Sequence, residues 1–199
     1  MDRSPIEPVA PLIVGIGGTQ RAGSSSEKVI RRALEFAATL GARTKLLCGD
    51  DLVMPIYSPE VDERTTQSAR LVDAVRRADG VVISSPGYHG SLSGLIKNAL
   101  DYIEDLRSDA RPYLQDRAVG CIAIGAGWQA TGTTLATLRS IVHALRGWPT
   151  PLGVCVNSTC LAAESEAAVD GQVRQMVGQL VDFAHMSAAL KSRQGCGRT

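Results

Sequence analysis

Ser85-Pro86-Gly87-Tyr88-His89-Gly90-Ser91-Leu92-Ser93-Gly94-Leu95-Ile96-Lys97-Asn98-Ala99-Leu100-Asp101-Tyr102 is the stretch that decides the fold. An apolar run, Gly80 to Ile83, leads into it, and a turn rich in Pro and Gly follows. A helical stripe then begins at once, through Leu92, Leu95, Ile96, Ala99, Leu100, Ile103 and Leu106. A strand that turns directly into a helix is the repeating unit of an open α/β sheet, and ligand loops sit at such junctions.

The same alternation extends in both directions. Leu12 to Ile16 is a continuous apolar run, as expected for a parallel strand covered on both faces. A helix marked by Val29, Ile30, Ala33, Leu34, Ala37 and Leu40 comes next, then a short strand, Thr44 to Cys48. The long connection Gly49 to Thr65 carries Met54-Pro55-Ile56-Tyr57-Ser58-Pro59, whose prolines exclude a helix. Ser68 to Arg77 reads as a helix, Gly80 to Ser85 as the third strand and Ala118 to Ile124 as the fourth. A helix through Leu135, Leu138, Ile141, Val142 and Leu145 precedes a fifth strand, Leu152 to Val156, and a last helix runs through Val169, Val173, Met176, Val177, Leu180 and Val181. Five strands alternating with helices predict a flavodoxin-like, doubly wound parallel sheet of order 2-1-3-4-5, with helices on both faces and a ligand crevice between strands one and three. The expected organisation is an N-terminal arm over 1–11, one domain over 12–190 and a flexible tail over 191–199.

Bulk properties narrow the function. A formal charge of +1 offers no basic field for nucleic acid. No apolar run approaches the ~20 residues of a spanning helix, so no membrane role is expected. The N-terminus lacks the apolar centre of a signal peptide. The five cysteines form no Cys-x-x-Cys pair, and their odd number argues against a disulfide framework. Reduced thiols in a cytoplasmic protein are the expectation, with Cys48 and Cys121 packed in the core. No His/Cys/Asp cluster has metal spacing.

Two polar loops follow strands one and three. The first, Gly17-Gly18-Thr19-Gln20-Arg21-Ala22-Gly23-Ser24-Ser25-Ser26, opens a helix. A helix N-terminus offers unpaired N–H groups, and hydroxyls with one guanidinium add donors around a dianionic phosphate. The plainer alternative is an N-cap at Ser25 or Ser26 with Arg21 in solvent. Gln20 stands where a dinucleotide fingerprint wants a third glycine, and no Gly-Lys-Ser/Thr follows. In the second loop, Pro86 to Gly90, Tyr88 and the backbone suit a planar ring. A third, Gly125-Ala126-Gly127-Trp128-Gln129-Ala130-Thr131-Gly132, follows strand four, with Trp128 either at a pocket, against another subunit or alone on the surface. Together the loops suggest a phosphate-bearing planar cofactor, FMN first.

The motifs resemble those of the NAD(P)H-dependent FMN reductase family. Gly18-Thr19-Gln20-Arg21-Ala22-Gly23-Ser24 is similar to its Gly-Ser-x-Arg-x-x-Ser loop, and Pro55-Ile56-Tyr57-Ser58 to its Pro-Leu-Tyr-Asn. Ser85 to Ser91 and Lys97 to Tyr102 resemble its Ser-Pro-Glu-Tyr-Asn/His-Gly-Ser and Lys-Asn-Ala-Leu-Asp-Trp, with Gly87 in place of the usual Glu. The resemblance implies that Thr19, Arg21, Ser24, Ser25 and Ser26 hold the FMN phosphate. It places Pro86, Gly87, Tyr88, His89 and Gly90 at the isoalloxazine, with Gly125, Ala126 and Gly127 on its other side. NADPH or NADH would give hydride to flavin N5, with no protein catalytic residue and no metal. Electrons would pass to free flavin that serves a flavin-dependent monooxygenase, or to a quinone, azo dye or metal oxyanion. A homodimer or homotetramer is implied. Rival readings are a non-enzymatic electron carrier like flavodoxin and a flavin-binding sensor.

Overall fold

A computed structural model describes residues 10–160 and 163–196 of the chain. The element order is β1 (Leu12–Gly17), α1 (Ser25–Thr39), β2 (Arg43–Leu47), α2 (Thr66–Arg77), β3 (Gly80–Tyr88), β4 (Ser91–Leu92), α3 (Gly94–Asp101), β5 (Ala118–Gly125), α4 (Trp128–Ala144), β6 (Trp148–Pro149), β7 (Val154–Asn157) and α5 (Ala163–Cys196). Most of the expected arm over 1–11 lies outside the described residues. At the other end α5 continues to Cys196, past the boundary expected at 190.

The fold is the flavodoxin-like α/β type. The sheet has seven strands in the order β2-β1-β3-β5-β6, with β4 paired to β3 and β7 to β5. This corrects the expected five strands in two places. First, the single fifth strand is broken. β6 pairs the start of β5 (Ala118 with Trp148), while β7 pairs its end (Ile122 with Val154). Pro149 and Pro151 have no N–H to give the ladder. Between the two strands Thr150 Oγ1 donates to Leu152 O, and Leu152 N donates to Gln179 Oε1 of α5. Second, the tip of β3 folds back on itself. Gly87 pairs Leu92 and Tyr88 pairs Ser91 in an antiparallel hairpin.

The core lies on both faces of the sheet, as alternating side chains dictate. Val14, Ile16, Val81 and Ile83 face α2, α3 and α4 through Leu71, Val75, Ile96, Leu100, Leu138 and Val142. Ile13, Val82 and Ile122 face α1 and α5 through Ile30, Leu34, Val173, Val177 and Leu180. With both faces covered, the polar loops are left at the C-terminal edge of the sheet.

Candidate functional site

Ser24 is the N-cap of α1, so Ser25 and Ser26 are its first helical residues, not its caps. Ser24 Oγ accepts from Glu27 N at 3.3 Å. Thr19 Oγ1 accepts from Arg21 N at 3.1 Å and holds the preceding turn. Ser84 Oγ of β3 donates to Ser26 O at 3.1 Å, which ties the helix start to the neighbouring strand.

The loop and the start of α1 line one side of a cavity of about 550 Å³. Thr19, Arg21, Ser24, Ser25 and Ser26 form its polar end, and Pro86, Gly87, Tyr88, Gly125 and Ala126 its other walls. The three loops therefore converge. Gly23, Lys28, Ile124 and Ser158 complete the lining, and none of them was among the site residues expected from sequence. Lys28 had a signal, a cation in the first turn of α1. Ser158 follows β7 and belongs to the same sheet edge, so the topology alone could have pointed to it.

Three expected residues stand outside this lining. His89 and Gly90 form the two-residue turn of the β3–β4 hairpin, with φ of 51° and 84°. Positive φ at both positions is what a type I′ turn needs. Gly127 caps α4. That helix starts at Trp128, so the third loop is shorter than expected. Trp128 is 64% exposed. It lines a separate small cavity with Cys155 and Cys160.

A second cavity, about 500 Å³, shares Thr19, Arg21 and Tyr88 with the first. Its remaining wall is largely apolar, with Val53, Met54, Ile56 and Leu95, and Asn98 at its edge. The Met54–Tyr57 segment is clamped there by α3. Asn98 Oδ1 accepts from Tyr57 N at 2.8 Å, and Asn98 Nδ2 donates to Pro55 O at 2.9 Å. Tyr102 Oη donates to the same carbonyl at 3.0 Å. The Tyr57 and Tyr102 rings meet edge to face at 5.2 Å. Arg64 lies over both rings and pairs Asp105 through two bonds, at 2.7 and 2.9 Å. The Pro-Ile-Tyr and Lys-Asn-Ala-Leu-Asp-Tyr segments are thus one structural unit.

The donor set suits a phosphate ester joined to a planar ring. Hydroxyls, a guanidinium, an ammonium and a helix N-terminus gather at one end. Backbone of the β3 tip and the β5–α4 loop flanks the other end, beside an apolar wall. Residues 11–159 match the sequence pattern of the family described as NADPH-dependent FMN reductase. The chain belongs to the NADPH-dependent FMN reductase family. It is an NAD(P)H-dependent flavin oxidoreductase whose cofactors are FMN and NAD(P)H.

An FMN-dependent NADPH-azoreductase of Staphylococcus haemolyticus is 33% identical over a 137-residue alignment that covers 65% of this chain and 69% of that protein. Solved structures share the fold. An oxidoreductase of Corynebacterium diphtheriae superposes with a TM-score of 0.72 at 16% identity, covering 89% of this chain and 98% of that one. FerB, an NAD(P)H:(acceptor) oxidoreductase of Paracoccus denitrificans, gives 0.71 at 19% identity, over 90% and 99%.

Within this family member the cysteines divide by environment. Cys121 is buried in the sheet, and burial pushes its thiol up to about 12. Cys48 is only half-buried, which corrects the expectation that it packs in the core. Burial still raises its thiol, with Glu27 adding to the effect. Among the described residues Cys48, Cys121, Cys155 and Cys160 are free thiols. None of the helices among those residues is long and apolar enough to cross a membrane.

Proposed function

We propose that the first cavity holds FMN and that the second receives nicotinamide and electron acceptor in turn. Thr19, Arg21, Ser24, Ser25, Ser26 and Lys28 would bind the phosphate through hydroxyls, charge and the N-terminus of α1. Pro86, Gly87, Tyr88, Gly125 and Ala126 would orient the ring. FMN, when bound, supplies the hydride-accepting and electron-donating chemistry. The protein supplies position, backbone hydrogen bonds and exclusion of water. His89 lies outside the lining of both cavities and has no proton-transfer role in this reading.

One observation carries it: the polar and apolar cavities meet at Thr19, Arg21 and Tyr88. A ring seated against Tyr88 would present one face to the apolar wall. That wall favours a planar aromatic acceptor, such as an azo compound, a quinone or free flavin, over a metal oxyanion. The azoreductase activity of the staphylococcal relative supports the same choice. Release of reduced FMN to a flavin-dependent monooxygenase belongs to the free-flavin branch.

A cytoplasmic homodimer or homotetramer completes the proposal. Ile56 is 84% and Tyr88 55% exposed beside the groove, apolar surface that a second copy would cover. The free thiols support a reducing compartment.

The test is titration of the flavin-free protein with FMN and riboflavin, followed by an acceptor screen with NADH and NADPH. Arg21→Ala should weaken FMN about tenfold to a hundredfold, as expected for loss of a hydrogen bond to a charged group, and spare riboflavin. Equal losses for the two flavins would remove Arg21 from the phosphate site.

A further inference from the structure

We infer that Glu27 is a positioning residue for the phosphate loop, and that Arg31 neutralises it so that its charge does not oppose the ligand. This rests on the reading that the FMN phosphate occupies the polar end of the first cavity.

Ser24 and Glu27 have the spacing of a capping box. In the usual box the Glu carboxylate accepts from the N–H of the cap residue itself. Here the reach is one residue longer. Glu27 Oε2 accepts from Gly23 N at 2.9 Å. Gly23 has φ of 69°, a left-handed conformation that side chains disfavour. The Glu27 bond closes the turn that delivers the chain from Arg21 to Ser24.

Position separates this carboxylate from the ligand groups. Glu27 is 9% exposed and is not among the residues lining the cavity. Gly23 and Ser24 are. The carboxylate therefore acts from behind the loop, through Gly23.

Its charge needs an answer, because an anion in the first turn of α1 would repel a phosphate at the same helix end. Arg31 provides it. Its Nε and Nη2 donate to Glu27 Oε1 at 2.9 and 2.7 Å. Nη2 also approaches Cys48 Sγ at 3.7 Å, so the guanidinium joins the loop, α1 and the end of β2. One carboxylate oxygen shapes the loop while the other is held by a cation. Two different substitutions should then fail for two different reasons.

The experiment measures FMN and riboflavin dissociation constants on the full-length protein freed of flavin. Glu27→Ala should raise the FMN constant about tenfold, the scale of one lost hydrogen bond to a charged group, and the riboflavin constant less than about threefold. Glu27→Gln keeps an oxygen for Gly23 N–H and should retain most FMN affinity. Arg31→Ala should weaken FMN by about threefold to tenfold in the wild-type background, and by much less when Glu27 is already Gln. That non-additivity is a signature a purely structural role would not produce. The inference is overturned if Glu27→Ala keeps wild-type discrimination between the flavins, or weakens both equally. It is also overturned if Arg31→Ala has the same effect in both backgrounds. A wild-type protein that binds riboflavin as tightly as FMN would instead sink the phosphate placement on which the inference stands.

Discussion

A Cβ atom on Gly87 would lie 2.7 Å from Thr134 Oγ1, and 3.2 Å from Ala130 O. The tip of β3 and the first two turns of α4 are therefore so close that a side chain at 87 requires the Thr134 hydroxyl to turn away and Ala130 to give by a few tenths of an ångström. Thr134 is fully buried, and its hydroxyl has no hydrogen-bond partner. The resembled family pattern has Glu at this position. Here Gly suits that close approach, and it brings α4 against the wall of the first cavity.

Restoring the family residue should accordingly harm this protein. Gly87→Glu forces α4 away from β3, and overpacking of this kind costs about 1–3 kcal/mol. The flavin-free variant should melt roughly 2–10 °C lower. Adding Thr134→Ala should recover part of the loss. An unchanged melting temperature for Gly87→Glu would show that the approach is looser than it stands here.

Asn98 should govern the second cavity without touching the first. Asn98→Leu removes the partner of Tyr57 N–H and one of the two donors to the Pro55 carbonyl, which keeps the Tyr102 hydroxyl. The Met54–Tyr57 wall should loosen. In steady-state assays the acceptor KM should rise at least about threefold, while FMN affinity stays within about twofold of wild type. A variant with wild-type KM, or one that loses FMN instead, would show that the clamp does not serve the acceptor side.

The hairpin turn makes a further prediction about His89. Asn-Gly is the preferred pair for a type I′ turn, so His89→Asn suits the local backbone at least as well as His. The melting temperature should hold or rise slightly. Anaerobic reduction of bound flavin by NADPH, followed by stopped-flow absorbance, should slow by less than about tenfold. A general acid or base would be worth about 10²–10⁴-fold, so a loss on that scale with flavin fully bound would give His89 a chemical role. A Cβ on Gly90 meets nothing within 4 Å, so Gly90→Val should act through the turn conformation, not through a clash.

Acid should weaken the phosphate loop. The Arg31 guanidinium beside Glu27, together with the Gly23 N–H, holds its carboxyl below the usual carboxylate range. A lowered value means that the stabilisation is complete above the ordinary range and is lost as pH falls through the lowered value. The melting temperature of the flavin-free protein should therefore fall in that acid window, and the part due to Glu27 should be absent in Glu27→Gln, which has no carboxylate to protonate. An identical pH profile of the melting temperature for the two proteins would separate Glu27 from that acid sensitivity.

Much of this was legible in the chain because its signals are local. Apolar runs and helical stripes repeat over a few residues, so the alternation of strands and helices needed no tertiary information. The loops after strands one, three and four are likewise contiguous, which is why residues from Thr19 to Ser26, Pro86 to Gly90 and Gly125 to Gly127 could be named together, although His89, Gly90 and Gly127 stand outside the cavity. The broken fifth strand was not read from the sequence, because the apolar pattern of Leu152 to Val156 suggests one strand and Pro149 reads as a helix stop. Pairings between distant segments come from the packing alone. Asn98 meets Tyr57 across 41 residues, and no periodicity encodes that bond. Gly87 reads as one more turn glycine until α4 is seen to pack on it. His89 reads as a ligand-loop residue until β4 folds back and makes it a hairpin corner. Glu27 drew no notice in the sequence, and only the packed structure shows its carboxylate accepting from the left-handed Gly23 with Arg31 one helical turn away. Local sequence sets which elements form. The side chains that shape the site are chosen by where the packed sheet brings those elements together.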